Sequence, residues 1–218
     1  MFSARDSFSN KIYAVKVINK ITNDKILRLA EKPPECPFLI KPQNFNFFKD
    51  EERYVFEMEL ADYSLHKVLK TLSSEDTRKY FKHICLGLKC LHEAHQIHGN
   101  LKPTNILIKD GVAKLSDNKP IELIEKPLIS LNEETNPEGT FSYLSPEIIK
   151  KEKFNEKSDI WALGIIFHQM LSKGTHLFIG GTQKEICANI LGKQIIPDPS
   201  IKDPRDLEII TGLILFFG

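Results

Sequence analysis

The chain has 218 residues, 41% hydrophobic and 27% charged, enough apolar content for a sizeable core and too much for disorder. Thirty basic and 29 acidic side chains leave a net charge of +1, so no global bias favours nucleic acid or an anionic membrane. The four cysteines, at 36, 85, 90 and 187, form no CxxC pair, which points to reduced thiols and a cytoplasmic setting.

In chain order, residues 11–18 (KIYAVKVI) alternate and are rich in β-branched and aromatic side chains, which predicts a strand. Residues 22–31 read as a short helix stopped by Pro33-Pro34. Strands follow around Phe38–Phe48 and Arg53–Met58. Ser73-Ser74-Glu75-Asp76 reads as a capped helix start, and Tyr80, Phe81, Ile84, Cys85, Leu88, Leu91 and His92 then recur at helical spacing. Short strands fit Ile106–Ile108 and Ala113–Leu115, joined by a turn at Asp110-Gly111. Residues 118–146 read as a long polar loop, a kind that is usually functional, and a further apolar helix spans about Lys157 to Leu171. The N-terminus lacks the apolar stretch of a signal peptide, and the run Ile209 to Phe217 is too short to span a bilayer.

Several short motifs fall on these elements in a fixed order. They are AVK at 14–16, HGNLKPTN at 98–105, LSD at 115–117, GTFSYLSPE at 139–147 and SDIWALG at 158–164. The series resembles the protein kinase superfamily, in its serine/threonine branch. What it resembles is a degenerate, pseudokinase-like version of that family, and it looks truncated at both ends. The resemblance implies a two-lobed α+β fold, with a partial small lobe over 1–58 and a helical lobe over 59–218. The small lobe would lack its first strand and Gly-rich loop, and the large lobe would stop near its last helices.

Phosphoryl transfer needs positioning and charge cancellation more than covalent help. By resemblance, Lys16 matches the lysine that holds the α/β-phosphates of ATP, although a lone strand lysine is more often simply solvated. Asn105 and Asp117 match the two Mg²⁺ ligands, and Lys102 matches the lysine near the transferred phosphate. An Asp after a strand is otherwise an ordinary turn residue. Adenine would sit after Met58, against backbone groups of Glu59 and Ala61, between Ala14 and Leu107, positions that are equally ordinary core. Asp159 matches the buried carboxylate bracing the catalytic loop, and it could also be a helix N-cap. The implied cofactors are ATP and Mg²⁺, and the implied partner is a protein substrate or regulatory partner, with no nucleic acid or membrane.

The departures from the pattern carry as much weight. His98-Gly99-Asn100 stands where the family has His-Arg-Asp. Asn100 occupies the catalytic position, and its amide cannot accept the substrate's proton. Loss of a positioned base typically lowers the rate ~10²–10⁴-fold. Asp117-Asn118-Lys119 keeps the metal carboxylate of Asp-Phe-Gly and loses the Phe and Gly. The partner expected for Lys16 falls at Asn23, with Asp24 or Glu31 as substitutes. The implied function is therefore a catalytically impaired kinase-like module with weak ATP binding and a regulatory or interaction role. The alternative is an active serine/threonine kinase seen as an incomplete chain.

Overall fold

The computed structural model describes residues 2–5, 10, 12–19, 34–40, 42–48, 53–116, 140–153, 155–193 and 195–215. The short helix expected at 22–31, Asp117 to Lys119, and most of the long loop lie outside these residues.

Four strands form an antiparallel sheet in the order β1-β2-β4-β3: β1 (Phe2–Arg5), β2 (Ile12–Asn19), β3 (Pro42–Phe48) and β4 (Arg53–Glu59). The register sets Ala14 opposite Met58 and Lys16 opposite Phe56. Side chains alternate across a strand, so these four share one face. Beyond β4 the chain crosses to a second antiparallel sheet of β5 (Tyr63–Ser64), β6 (Ile106–Lys109) and β7 (Val112–Leu115). The β6–β7 turn behaves as its Asp-Gly dipeptide predicts. Asp110 and Gly111 both take positive φ, +48° and +71°, the backbone of a two-residue type I′ hairpin.

The strand expected over Phe38–Phe48 is shorter, and the difference is informative. Only Pro42–Phe48 joins the first sheet, while Leu39 bridges Leu115 in parallel. Leu115 N donates to Phe38 O and Ile40 N donates to Leu115 O, both at 2.8 Å. The outer edge of β7 offers unpaired backbone groups, and this segment satisfies them.

The other described elements are helical. Helix α1 (Leu65–Val68) follows β5, and α2 (Ser74–Glu93) begins at Ser73, whose hydroxyl accepts from Asp76 N. Tyr80, Ile84, Leu88 and Leu91 bury one face of α2, as their spacing predicts. Gly87 brings that face against β7, where an added Cβ would lie 3.0 Å from both Leu115 and Phe38 O. Helix α3 (Pro146–Ile149) precedes α4 (Glu156–Leu171), which is buried almost all round from Ser158 to Met170 and forms the axis of this part. The cap of α4 is Asn155, in a capping box with Ser158, so the N-cap reading of Asp159 is corrected. Helices α5 (Gln183–Leu191) and α6 (Pro204–Leu215) pack beyond it, and Trp161, Phe167, Phe178, Ile190, Ile210 and Ile214 join them in one core cluster. Among the described residues no helix is long and apolar enough to cross a membrane.

The expectation of reduced thiols is also corrected in part. Cys36 and Cys90 form a disulfide that ties the segment before β3 to α2, while Cys85 and Cys187 are free. A pair 54 residues apart leaves no spacing signature, because only the packing of α2 against the 34–40 segment brings the two together.

Candidate functional site

Residues 98–105 run between the end of α2 and β6, and the buried carboxylate of Asp159 organises them. His98 N and Gly99 N donate to its two oxygens at 2.8 and 3.0 Å, and His92 Nε2 lies 2.9 Å from Oδ2. Asp159 stands in the first turn of α4, so a rigid, fully packed helix holds one side of the loop. The bracing expected of Asp159 is thus present in the geometry. His92, placed by the sequence only in core packing, is its third contact.

Gly99 has φ of +69°. A residue with a Cβ adopts that backbone at a cost of about 1–2 kcal/mol. Glycine in place of the family's arginine therefore relieves the turn, at the loss of a cation.

Asn100 is half-buried. Its backbone N donates to His98 Nδ1 at 3.2 Å, and its carbonyl accepts from Asn105 Nδ2 at 2.7 Å. Asn105 is buried, and its own carbonyl accepts from Ser116 N and Oγ at 2.9 and 3.0 Å. The loop is therefore pinned to Ser116, the residue that follows β7. Because the Asn105 amide nitrogen is used by Asn100, its oxygen is the end left for a cation. A hard divalent ion takes such an oxygen, so Asn105 fits the Mg²⁺ role chemically. Asp117, the other expected ligand, lies outside the described residues. Lys102 is half-buried on the same loop, and its carbonyl accepts from Asn105 N at 2.9 Å.

The second group of residues lies around the crossing between the sheets. Ala14 and Met58 are buried, 5% and 8% exposed, and face each other across β2 and β4, with Lys16 two residues further along the same face. Leu107 is half-buried on β6, on the face opposite the fully buried Ile106 and Ile108. These small and apolar side chains fit the flat, apolar body of a purine, and Lys16 brings a cation to their face. The fold thus brings Ala14, Lys16 and Met58 together on one sheet, and Leu107, Asn100, Lys102 and Asn105 together on the hairpin and its approach.

The crossing itself, Glu59 to Ser64, is fastened to the hairpin. Asp62 N donates to Ile108 O at 2.8 Å, and Asp110 N donates to the Asp62 carboxylate at 2.8 Å. That second bond is the main reason the Asp62 carboxyl titrates below its ordinary range. Glu59 accepts from Lys114 Nζ through both oxygens, at 2.6 and 2.9 Å. Neither Lys114 nor the side chain of Glu59 was singled out by sequence. The hairpin register could have flagged Lys114, since a two-residue turn at Asp110-Gly111 sets it opposite Leu107.

Near the far end of the loop, Ser158 Oγ hydrogen-bonds Glu147, and Ser145 and Pro146 are buried. Lys150, Lys151 and Lys153 are exposed.

Comparison with known proteins bears on this arrangement. Residues 1–209 match the model of the protein kinase domain. The chain is 30% identical to an Aurora kinase of Schizosaccharomyces pombe over 98% of its length, and 28% identical to the serine/threonine-protein kinase PLK2 of Mus musculus over 78%. It is 25% identical to cAMP-dependent protein kinase type 3 of Saccharomyces cerevisiae over 93%. The matches cover 62%, 26% and 52% of those proteins, so the chain spans less than two thirds of each.

Proposed function

The chain belongs to the protein kinase family, and from that premise we propose that it is a catalytically impaired member that keeps weak ATP·Mg²⁺ contact and acts as a regulatory or interaction module. The observation that carries this reading is Asn100, an amide held at the position where the reaction needs a base. Bound ATP·Mg²⁺ supplies the transferable phosphoryl group and the cation that offsets its charge. Ala14, Met58 and Leu107 would enclose the adenine, and backbone groups of Glu59 and Ala61 would meet its edge. Lys16 would neutralise phosphate charge, Asn105 and Asp117 would hold the metal, and Lys102 would approach the transferred group.

The frame around Asn100 is intact, with Asp159 bracing one side and Asn105 tying the other. An acceptor hydroxyl could therefore be positioned, but position 100 offers its proton an amide in place of a carboxylate. The expected penalty is ~10²–10⁴ in rate, or about 3–5 kcal/mol of barrier. An intact frame around a non-basic residue supports impairment by chemistry rather than by misfolding.

The test pairs two measurements. ATP·Mg²⁺ is expected to raise the melting temperature of the native chain slightly, and Asn100→Asp is expected to raise phosphoryl transfer to a generic protein substrate at least 100-fold. A native chain that transfers phosphate at an ordinary kinase rate overturns the proposal in favour of an active serine/threonine kinase. Absence of any nucleotide-dependent shift overturns the ATP part and leaves a scaffold.

A further inference from the structure

The ion pair between Lys114 and Glu59 links two parts of the protein that the chain joins only through a short crossing. Glu59 ends β4, with its backbone in register with Tyr13 in the four-stranded sheet. Lys114 belongs to β7, in register with Leu107 in the three-stranded sheet. The two residues are 55 positions apart, and both carboxylate oxygens of Glu59 are engaged. Their side chains are only 17% and 22% exposed, so solvent screens the pair less than it screens a surface bridge.

The placement is specific. Ala113 and Leu115 point into the core beneath the hairpin, and alternation turns Lys114 to the other face. That is the face carrying Leu107, the expected floor of the adenine site. Downstream, the crossing is fixed by Asp62 and by the pairing of Tyr63 and Ser64 with Ile108 and Leu107. Upstream, at Glu59, the carboxylate itself reaches across to the second sheet.

We propose that Lys114 is a positioning residue for the nucleotide cleft, a strut that holds the crossing at Glu59–Asp62 in a fixed relation to the β6–β7 hairpin. The inference rests on the nucleotide reading above for its functional meaning, while its mechanical content stands on the ion pair. It assigns the Glu59 side chain a role separate from that of its backbone. Lys114 itself is not a nucleotide contact. It keeps the backbone groups of Glu59 and Ala61 aligned above Leu107, so less ordering is needed when a ligand binds.

The experiment compares the native chain with Lys114→Met, Lys114→Arg and Glu59→Gln. Amide hydrogen exchange at Leu60, Ala61 and Asp62 is read without ligand, and ATP·Mg²⁺ affinity is read by calorimetry. Lys114→Met and Glu59→Gln are each expected to speed exchange at these amides about tenfold and to weaken ATP·Mg²⁺ at least fivefold. Lys114→Arg, which retains a two-pronged donor, is expected to restore both towards native values. Unchanged exchange in both Lys114→Met and Glu59→Gln overturns the strut, and weakened affinity with unchanged exchange overturns it in favour of direct ligand contact. If the native chain binds no ATP·Mg²⁺, the nucleotide reading fails by itself. Exchange then decides the strut, with faster exchange sustaining it and unchanged exchange refuting it. Should Lys114→Met not fold, Glu59→Gln carries the comparison.

Discussion

Removing the Asp159 carboxylate is the sharpest test of how the loop is held. The group is 1% exposed and receives hydrogen bonds from two backbone N–H groups and contacts one imidazole. A hydrogen bond to a charged acceptor contributes about 1.5–3 kcal/mol, and each buried donor left without a partner costs about 1–3 kcal/mol. Three such contacts share one acceptor and do not add, so Asp159→Ala is expected to cost about 3–5 kcal/mol, the range for breaking a buried charged network. Asp159→Asn separates charge from shape. With its oxygen at the Oδ2 position it still faces His98 N and His92, but its NH₂ then meets the N–H of Gly99, donor against donor. It is expected to cost about 1–3 kcal/mol, with the loss localised at Gly99. Urea denaturation gives the first quantity, and amide exchange at His98 and Gly99 gives the second. An Asp159→Ala protein that loses under about 1 kcal/mol, with native protection at both amides, would refute the bracing argument.

Three further outcomes follow from the packing. Reduction, or Cys36→Ala with Cys90→Ala, opens a cross-link over a separation of 54 residues and is expected to lower stability by up to ~4 kcal/mol on the chain-entropy account. A urea midpoint that does not move on adding dithiothreitol contradicts the cross-link. Burial, the largest cause, pushes both His168 and His176 below the ordinary histidine value of 6.5, so the folded protein keeps them neutral. The unfolded chain therefore binds protons first as pH falls, and stability is retained above about pH 6.5 and lost below it. His168 Nε2 also accepts from Asp198 N at 3.0 Å, a bond that protonation breaks, and His168→Gln is expected to flatten the slope of stability between pH 7 and 5. Finally, Gly164→Ala and Gly212→Ala should move in opposite directions by thermal denaturation. A Cβ at 164 would lie 2.9 Å from Ile214 and cost about 1–3 kcal/mol, whereas a Cβ at 212 meets nothing within 4 Å and gains about 0.5–1 kcal/mol of helix propensity.

Local physics makes much of the architecture legible in the chain itself. Tyr80, Ile84, Leu88 and Leu91 announce the buried face of α2, because side chains three and four apart share a side of a helix. Asp110-Gly111 announces the hairpin, because few residues tolerate positive φ at both turn positions. The kinase-like order of motifs singled out Lys16, Ala14, Met58, Leu107, Asn100, Lys102 and Asn105, and the fold sets the first three on the four-stranded sheet and the others on the β6–β7 hairpin and its approach. What failed or was missed depends on contacts between distant segments. Phe38 to Ile40 read as the start of a β3 strand, since alternation says nothing about which sheet edge a segment will join. The N-cap of α4 is Asn155, which leaves Asp159 inside the first turn, where its carboxylate reaches the loop it braces.

The amino-acid order by itself determined the periodic elements, the hairpin turn and the identity of the residue at position 100, since each depends on neighbours within one or two turns of chain. Only the folded structure decided that Cys36 meets Cys90, that Asp159 takes His92 as a third contact, and that Lys114 reaches Glu59. Those pairings span 54, 67 and 55 residues. They arise when helices and sheets pack their apolar faces together, and a partner chosen by packing leaves no periodic trace in the chain.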